Sequence, residues 1–364
     1  MTTLKELYDS HRQSPWIDNL QRSQLRDGTL QHFIDVGIRG LTSNPTIFQK
    51  AIQNGVEYDD QFTSLVNNGA SVEEAYWAMV IQDIQDACDV FRPLHQSSDG
   101  GDGFVSVEVD PRLARRTDET ITQGRELAAR VGRPNVMIKV PATVEGLGAI
   151  TELTADGISV NVTLIFSVKR YAAVLDAYLA GLERRVAASL PIRDVNSVAS
   201  FFISRVDSLV DPLLSPRKEG HELLGRTAIN QAKAAFDHFE QVISGARWKS
   251  LAAAGARPQR PLWASTSTKN AAYPDTLYVD ELIGPETVNT LPENTMSAFI
   301  DHGRVGRTID SDLDRALAGL QQLSAEGISL DEVEHQLESE GVRSFEASFE
   351  DLLKTLEAKQ ASMG

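Results

Sequence analysis

Val136-Met137-Ile138-Lys139-Val140-Pro141 and Ile158-Ser159-Val160-Asn161-Val162-Thr163-Leu164-Ile165-Phe166, joined by a glycine-punctuated helical segment, read as one strand-helix-strand unit. Side chains alternate between the two faces of a strand. Met137, Lys139 and Pro141 therefore share one face, and Ser159, Asn161 and Thr163 share one face of the next strand. Polar groups are aligned where a core should be apolar. Lysine is seldom buried without a partner, and an ammonium removed from water shifts toward the neutral amine. Two readings of Lys139 follow: a solvent-facing gatekeeper on an edge strand, or an amine held for attack on a carbonyl.

Working outward, the same pattern recurs. On the N-terminal side, Phe104-Val105-Ser106-Val107-Glu108-Val109-Asp110 places Ser106, Glu108 and Asp110 opposite the valines. Pro15-Trp16-Ile17-Asp18 is a short strand ending in a carboxylate that either caps the next helix or does chemistry. Gly37-Ile38-Arg39-Gly40-Leu41 leads into Thr42-Ser43-Asn44-Pro45-Thr46, where the proline suits a first helical turn and the polar residues suit a turn or cap. On the C-terminal side, a strand ending in Ser200 has Arg205 just beyond it. Residues 260–270 read as a seventh strand with a basic exit at Lys269, and residues 286–290 as an eighth.

Between the strands lie helical patterns at residues 71–92, 167–189 and 223–244. The C-terminal part reads as a helix at 309–325, a capping box at Ser329 and Glu332, and a last helix with Phe345, Phe349, Leu352, Leu353 and Leu356 on one stripe. These last helices read as packing elements without chemistry of their own. Eight strands separated mostly by helices fit a single (β/α)8 TIM barrel spanning residues 1–364, with 309–358 packed on it. The runner-up is an open parallel sheet with Lys139 beside a switch-point crevice.

Composition narrows the chemistry. Forty-one per cent hydrophobic content in 364 residues supplies a sizeable core, and a formal charge of -16 disfavours nucleic acid and anionic membranes as partners. The single Cys88 excludes an intramolecular disulfide, and the seven histidines form no metal-ligand spacing with it. No run reaches the length of a membrane span and residues 1–12 lack a signal-peptide core, so a cytoplasmic, metal-free protein is expected. The run from Ser97 to Gly103 lacks the spacing and closing glutamate of a calcium loop and reads as a turn. Gly146-Leu147-Gly148-Ala149-Ile150-Thr151 lacks the third glycine of a dinucleotide-binding turn.

Five ordered motifs resemble the transaldolase family: Trp16-Ile17-Asp18, Leu41 to Thr46, Val105 to Asp110, Met137 to Thr143, and Asn161 to Ser167. The runs around Gly40 to Phe48 and Pro258 to Val279 are most similar to the longer actinobacterial branch. The resemblance implies a Schiff-base transferase of the non-oxidative pentose phosphate pathway (the pentose shunt). It would move a dihydroxyacetone unit between sedoheptulose 7-phosphate, glyceraldehyde 3-phosphate, erythrose 4-phosphate and fructose 6-phosphate. It further implies that Lys139 forms the imine and that Glu108 relays protons through a water held by Thr163. Asp18 would take the C4 hydroxyl proton, and Thr42, Asn44 and Asn161 would hold the dihydroxyacetone unit. Ser200 and Arg205 match the phosphate-binding strand end. Lys269 replaces the usual arginine, a point charge in place of a bidentate fork, and Ser204 stands where a glycine is usual.

The iminium is its own electron sink, so no metal or bound cofactor is required, and the expected partners are sugar phosphates, with a monomer or homodimer as the assembly. Glu108 and Asp18 would favour the ammonium of the lysine unless each is held off by a water or partly protonated. Two alternatives remain. One is a fructose-6-phosphate-type class I aldolase, although in those relatives the proton donor at the Glu108 position is supplied differently. The other is a non-catalytic barrel that binds sugar phosphates.

Overall fold

Eight parallel strands close on themselves in chain order: β1 (Gln13–Ile17), β2 (Gly40–Leu41), β3 (Phe104–Glu108), β4 (Val136–Pro141), β5 (Val160–Ile165), β6 (Ser197–Phe202), β7 (Gln259–Ala264) and β8 (Thr287–Leu291). The computed structural model describes residues 3–214 and 222–362; the remaining residues of the span read as one barrel lie outside the described residues. Pairing of β1 with β8, from Gln13 opposite Thr287 to Ile17 opposite Leu291, closes the ring and rules out the open sheet. Among the described residues, no helix is long and apolar enough to cross a membrane.

Alternation assigns the two sheet faces. Register places Glu108 beside Lys139 and Lys139 beside Asn161, so three polar residues of β3, β4 and β5 stand side by side. Val107, Ile138, Val160 and Val162 occupy the intervening positions, and all are buried in the same apolar core as Tyr171, Leu153 and Ile150 of the surrounding helices. Hydrophobic burial between strands and helices thus stabilises the wall, while Glu108, Lys139 and Asn161 face the barrel interior.

The interior is layered. Its middle is plugged by Trp16 and Phe104, whose ring centres lie 6.4 Å apart. A Cβ at Gly40 would come within 2.4 Å of the Trp16 indole, so β2 needs glycine there. Beneath this plug, Asp102 is 1% exposed and accepts hydrogen bonds from Ser14 Oγ (2.7 Å), Arg39 Nε (2.7 Å) and Arg260 Nη2 (3.1 Å). Burial works against the Asp102 carboxylate, but Arg260 and Arg39 outweigh it and hold its pKa below the usual range. The run read as a mere turn therefore supplies the clasp of the barrel floor. Asp102→Ala is expected to cost about 3–5 kcal/mol, because two partly buried guanidiniums lose their counter-charge. Urea unfolding measures this, and a loss below about 1 kcal/mol would show that the clasp is incidental.

Several boundaries differ from the sequence reading, each for a local reason. β7 stops at Ala264 instead of running to 270, because Ser265 takes a left-handed φ of 57°. β6 continues past Ser200 to Phe202, carried by its pairing with β7. β5 ends in a register shift at Leu164, whose φ is 61°. β2 is only Gly40–Leu41, and the helix expected from 309 starts at Leu313, after left-handed Asp312. The last helix runs from Leu330 to Ser362, with one half of the expected box made by Glu332 N–H donating to Ser329 Oγ.

Candidate active site

At the C-terminal ends of the strands the barrel opens into a cavity of about 380 Å³. Its walls carry Asp18, Thr42, Asn44, Lys139, Thr163, Ser200, Arg205 and Lys269, eight of the ten residues singled out from the sequence. Glu108 and Asn161 lie just beneath it. Asp110, aligned with Glu108 in the sequence, leaves the strand to cap the Pro111–Leu113 turn and pair with Arg112.

Lys139 is 4% exposed and so does not sit on a solvent-facing edge. Its Nζ donates to the Ser43 carbonyl at 3.1 Å and lies 3.3 Å from Glu108 Oε2. The second approach is an ion pair whose angles leave Oε2 without a hydrogen bond. Burial raises the Glu108 pKa; Lys139 opposes the rise and Asp18 adds to it. Burial likewise raises the pKa of Asp18, against the charge of Lys139 and a hydrogen bond from Thr42. Both carboxylates are thereby displaced toward the protonated form, one of the two conditions under which they would not oppose a free amine.

Hydrogen bonds hold most of the supporting shell. Thr42 Oγ1 donates to Asp18 Oδ1 at 2.7 Å and also lies 2.7 Å from the Thr290 hydroxyl. Asn44 accepts from Ile47 N–H at 3.0 Å, capping the helix Pro45–Asn54, and also lines the cavity. Asn161 donates to Ser106 Oγ (2.9 Å) and accepts from Ser200 Oγ (2.8 Å), which places it behind Ser200 and not at the cavity surface. Among the described residues the buried Thr163 hydroxyl has no hydrogen-bond partner.

The rim is cationic. Arg205 is stacked over Phe202, its guanidinium carbon 5.1 Å from the ring centre, and Lys269 donates to Ser267 Oγ at 2.6 Å. Ser204 and Ser265 join the ends of β6 and β7 through hydroxyls 2.9 Å apart. Such a rim suits a phosphate, and the hydroxyls beneath suit a polyol. Among the described residues no group of three or more His, Cys, Asp or Glu is placed to hold a metal ion.

Two contributors escaped the sequence reading. The last helix does reach the chemistry, since Ser344 and Phe345 line the cavity and the Phe345 ring centre is 6.0 Å from Lys139 Nζ. That corrects its reading as packing alone. It crosses the barrel mouth, tied to one side by Glu334 with Ser167 Oγ (2.6 Å) and to the other by Ser348 with Thr46 (2.8 Å). Lys50 also lines the cavity. Its signal was available, because Ile47 and Lys50 stand three and six residues beyond Asn44 on one helix face.

Comparison with known proteins agrees with this geometry. Residues 15–356 match the family model described as Transaldolase/Fructose-6-phosphate aldolase. A transaldolase of Thermobifida fusca is 52% identical over 342 residues, covering 93% of each chain, and one of a Parafrankia species is 51% identical over 353 residues, covering 95% of each.

Proposed function

The chain belongs to the transaldolase/fructose-6-phosphate aldolase family, and from that premise we propose that it is a transaldolase in which Lys139 carries a dihydroxyacetone unit from a ketose phosphate to an aldose phosphate. The observation that carries this reading is the alignment of buried Lys139 with Glu108 and Asn161 at the floor of a cavity rimmed by Arg205 and Lys269.

In this reading the Lys139 amine attacks the C2 carbonyl and forms a carbinolamine. Glu108, raised toward its protonated form and 3.3 Å from Nζ, supplies the proton with which the C2 hydroxyl leaves as water. The unpartnered Thr163 hydroxyl and Glu108 Oε2 support a water as the intermediary between them. Asp18 takes the proton of the C4 hydroxyl, the C3–C4 bond breaks, and its electron pair passes into the iminium to give an enamine. The aldose phosphate departs. An acceptor aldehyde then meets the enamine carbon, Asp18 returns the proton to the new alkoxide, and water releases the ketose from Lys139.

Thr42 and Asn44 hold the three-carbon unit directly, and Asn161 does so through Ser200. Arg205 and Lys269 take the phosphate, Arg205 more firmly because its guanidinium binds in a fork. The chain acts as one catalytic unit, with its substrates those of the non-oxidative pentose phosphate pathway. A cytoplasmic setting, which retains charged sugar phosphates, and a monomer or homodimer complete the proposal.

The aldolase alternative makes the same enamine but releases it by protonation. Incubation with fructose 6-phosphate and erythrose 4-phosphate is expected to yield sedoheptulose 7-phosphate much faster than fructose 6-phosphate alone yields free dihydroxyacetone. Equal or faster release of dihydroxyacetone without acceptor would identify an aldolase.

A further inference from the structure

The cationic rim has a third member. Lys50 lines both the catalytic cavity and a neighbouring chamber of about 520 Å³, which share Asp18, Ile47 and Pro292 as their common wall. It therefore stands at the threshold between the two. In a chain with a formal charge of -16, Lys50, Arg205 and Lys269 converge on one cavity, and among the described residues none of the three makes an ion pair with a carboxylate. By contrast, Arg22 in the outer chamber is paired with Asp83 at 2.7 Å. Set against the single carboxylate of Asp18 on the cavity wall, the three positive charges leave a net cationic site, and a doubly charged anion relieves their repulsion.

We propose that Lys50 is a third phosphate-binding residue, which holds the phosphate of the incoming aldose acceptor on the catalytic side of the threshold. The proposal rests on the transaldolase reading above and adds to it.

Two further features agree. Lys269 is shifted down by burial and then by the charges of Arg205 and Lys50, which places it within electrostatic reach of each. Beyond the threshold the outer chamber carries the carboxylates of Glu57 and Glu293. An anionic sugar phosphate is thus favoured at Lys50 and disfavoured farther out. The chemistry gives a use for the extra cation. Once the first aldose phosphate leaves, the enamine on the lysine carries no phosphate, and acceptors of three and four carbons bring theirs at different distances from the reacting carbon. A cluster of three cations accommodates both lengths better than two.

The test compares D-erythrose 4-phosphate with unphosphorylated D-erythrose as acceptors, fructose 6-phosphate being the donor and the glyceraldehyde 3-phosphate released being the readout. Lys50→Met is expected to raise KM for the phosphorylated acceptor about five- to tenfold, with kcat and the KM for erythrose near wild type. Inhibition by inorganic phosphate should weaken in parallel, and Lys50→Arg should restore both. Arg205→Ala separates the two levels of the argument. If it raises the phosphorylated KM while Lys50→Met leaves it within about twofold of wild type, Lys50 is not a phosphate ligand and the proposed function stands. If neither variant discriminates between the acceptors, the phosphate assignment of the whole rim is overturned, and Lys50 with it.

Discussion

Lys139→Met is expected to abolish transfer, lowering kcat by about 10⁴-fold or more, while leaving the protein folded and able to bind fructose 6-phosphate. Methionine matches the length of the lysine stem and suits a position only 4% exposed, so the packing of β4 is retained. The electrostatic consequence is local. Glu108 loses the ammonium 3.3 Å away, the charge that opposes its burial, and so moves further toward the neutral acid. A neutral carboxyl in that position is tolerated, whereas an unpaired carboxylate would not be. Circular dichroism and thermal unfolding check that the variant folds, and a coupled assay gives kcat. Activity within about tenfold of wild type would exclude the imine mechanism, since no other amine takes part in the proposed sequence of steps.

Asp18→Asn is expected to stop the reaction one step later. Thr42 Oγ1 still has an oxygen to donate to, so the shape of the site is kept, but the amide cannot accept the C4 hydroxyl proton. Loss of a general base costs about 10²- to 10⁴-fold in kcat. The imine should still form, so borohydride would trap the intact ketose phosphate on the protein instead of the three-carbon fragment. The pH profile supplies an independent reading. Because burial raises the pKa of Asp18, the active carboxylate is lost at a higher pH than for an ordinary aspartate, and the acid limb of kcat/KM should lie above the ordinary carboxylate range. Asp18, Glu108 and Lys139 interact, so that limb belongs to the cluster, and Asp18→Asn should displace it. Trapping of only the three-carbon fragment in Asp18→Asn would show that another group breaks the C3–C4 bond.

How much of this was legible in the sequence depends on the period of the element concerned. In β3, β4 and β5 the two-residue alternation put Glu108, Lys139 and Asn161 on the faces opposite the aliphatic Val and Ile runs, and the register then set them side by side. Asp18 was legible as the residue that follows a strand, and Asn44 as the cap before Pro45. Helices hid their contributions. Phe345 falls on the same apolar stripe as Phe349 and Leu352, and no periodicity distinguishes a ring that faces a cavity from one that faces the core. Asp102 was hidden for another reason. Its glycine-rich surroundings read as a turn, while its partners Arg39 and Arg260 lie 63 and 158 residues away, on parts of the chain that only closure of the barrel brings together. The register shift near the end of β5 and the end of β7 involve left-handed Leu164 and Ser265, neither a glycine, which leave no mark in composition.

The resulting picture is of a barrel closed below by an ionic clasp, plugged by Trp16 and Phe104, and open above to a lysine under the last helix. That roof has a chemical use in the proposed cycle, because an enamine waiting for its acceptor must be kept from protonation by water. Phe345, with its ring centre 6.0 Å from Lys139 Nζ, is an apolar group placed to do so.

The most direct test is reduction with borohydride in the presence of fructose 6-phosphate, followed by intact-mass measurement and peptide mapping, with and without an aldose phosphate acceptor. The account predicts a reduced dihydroxyacetone adduct on Lys139 that disappears when acceptor is supplied. Folded protein that binds fructose 6-phosphate and yields no adduct, or an adduct on a different lysine, would contradict it.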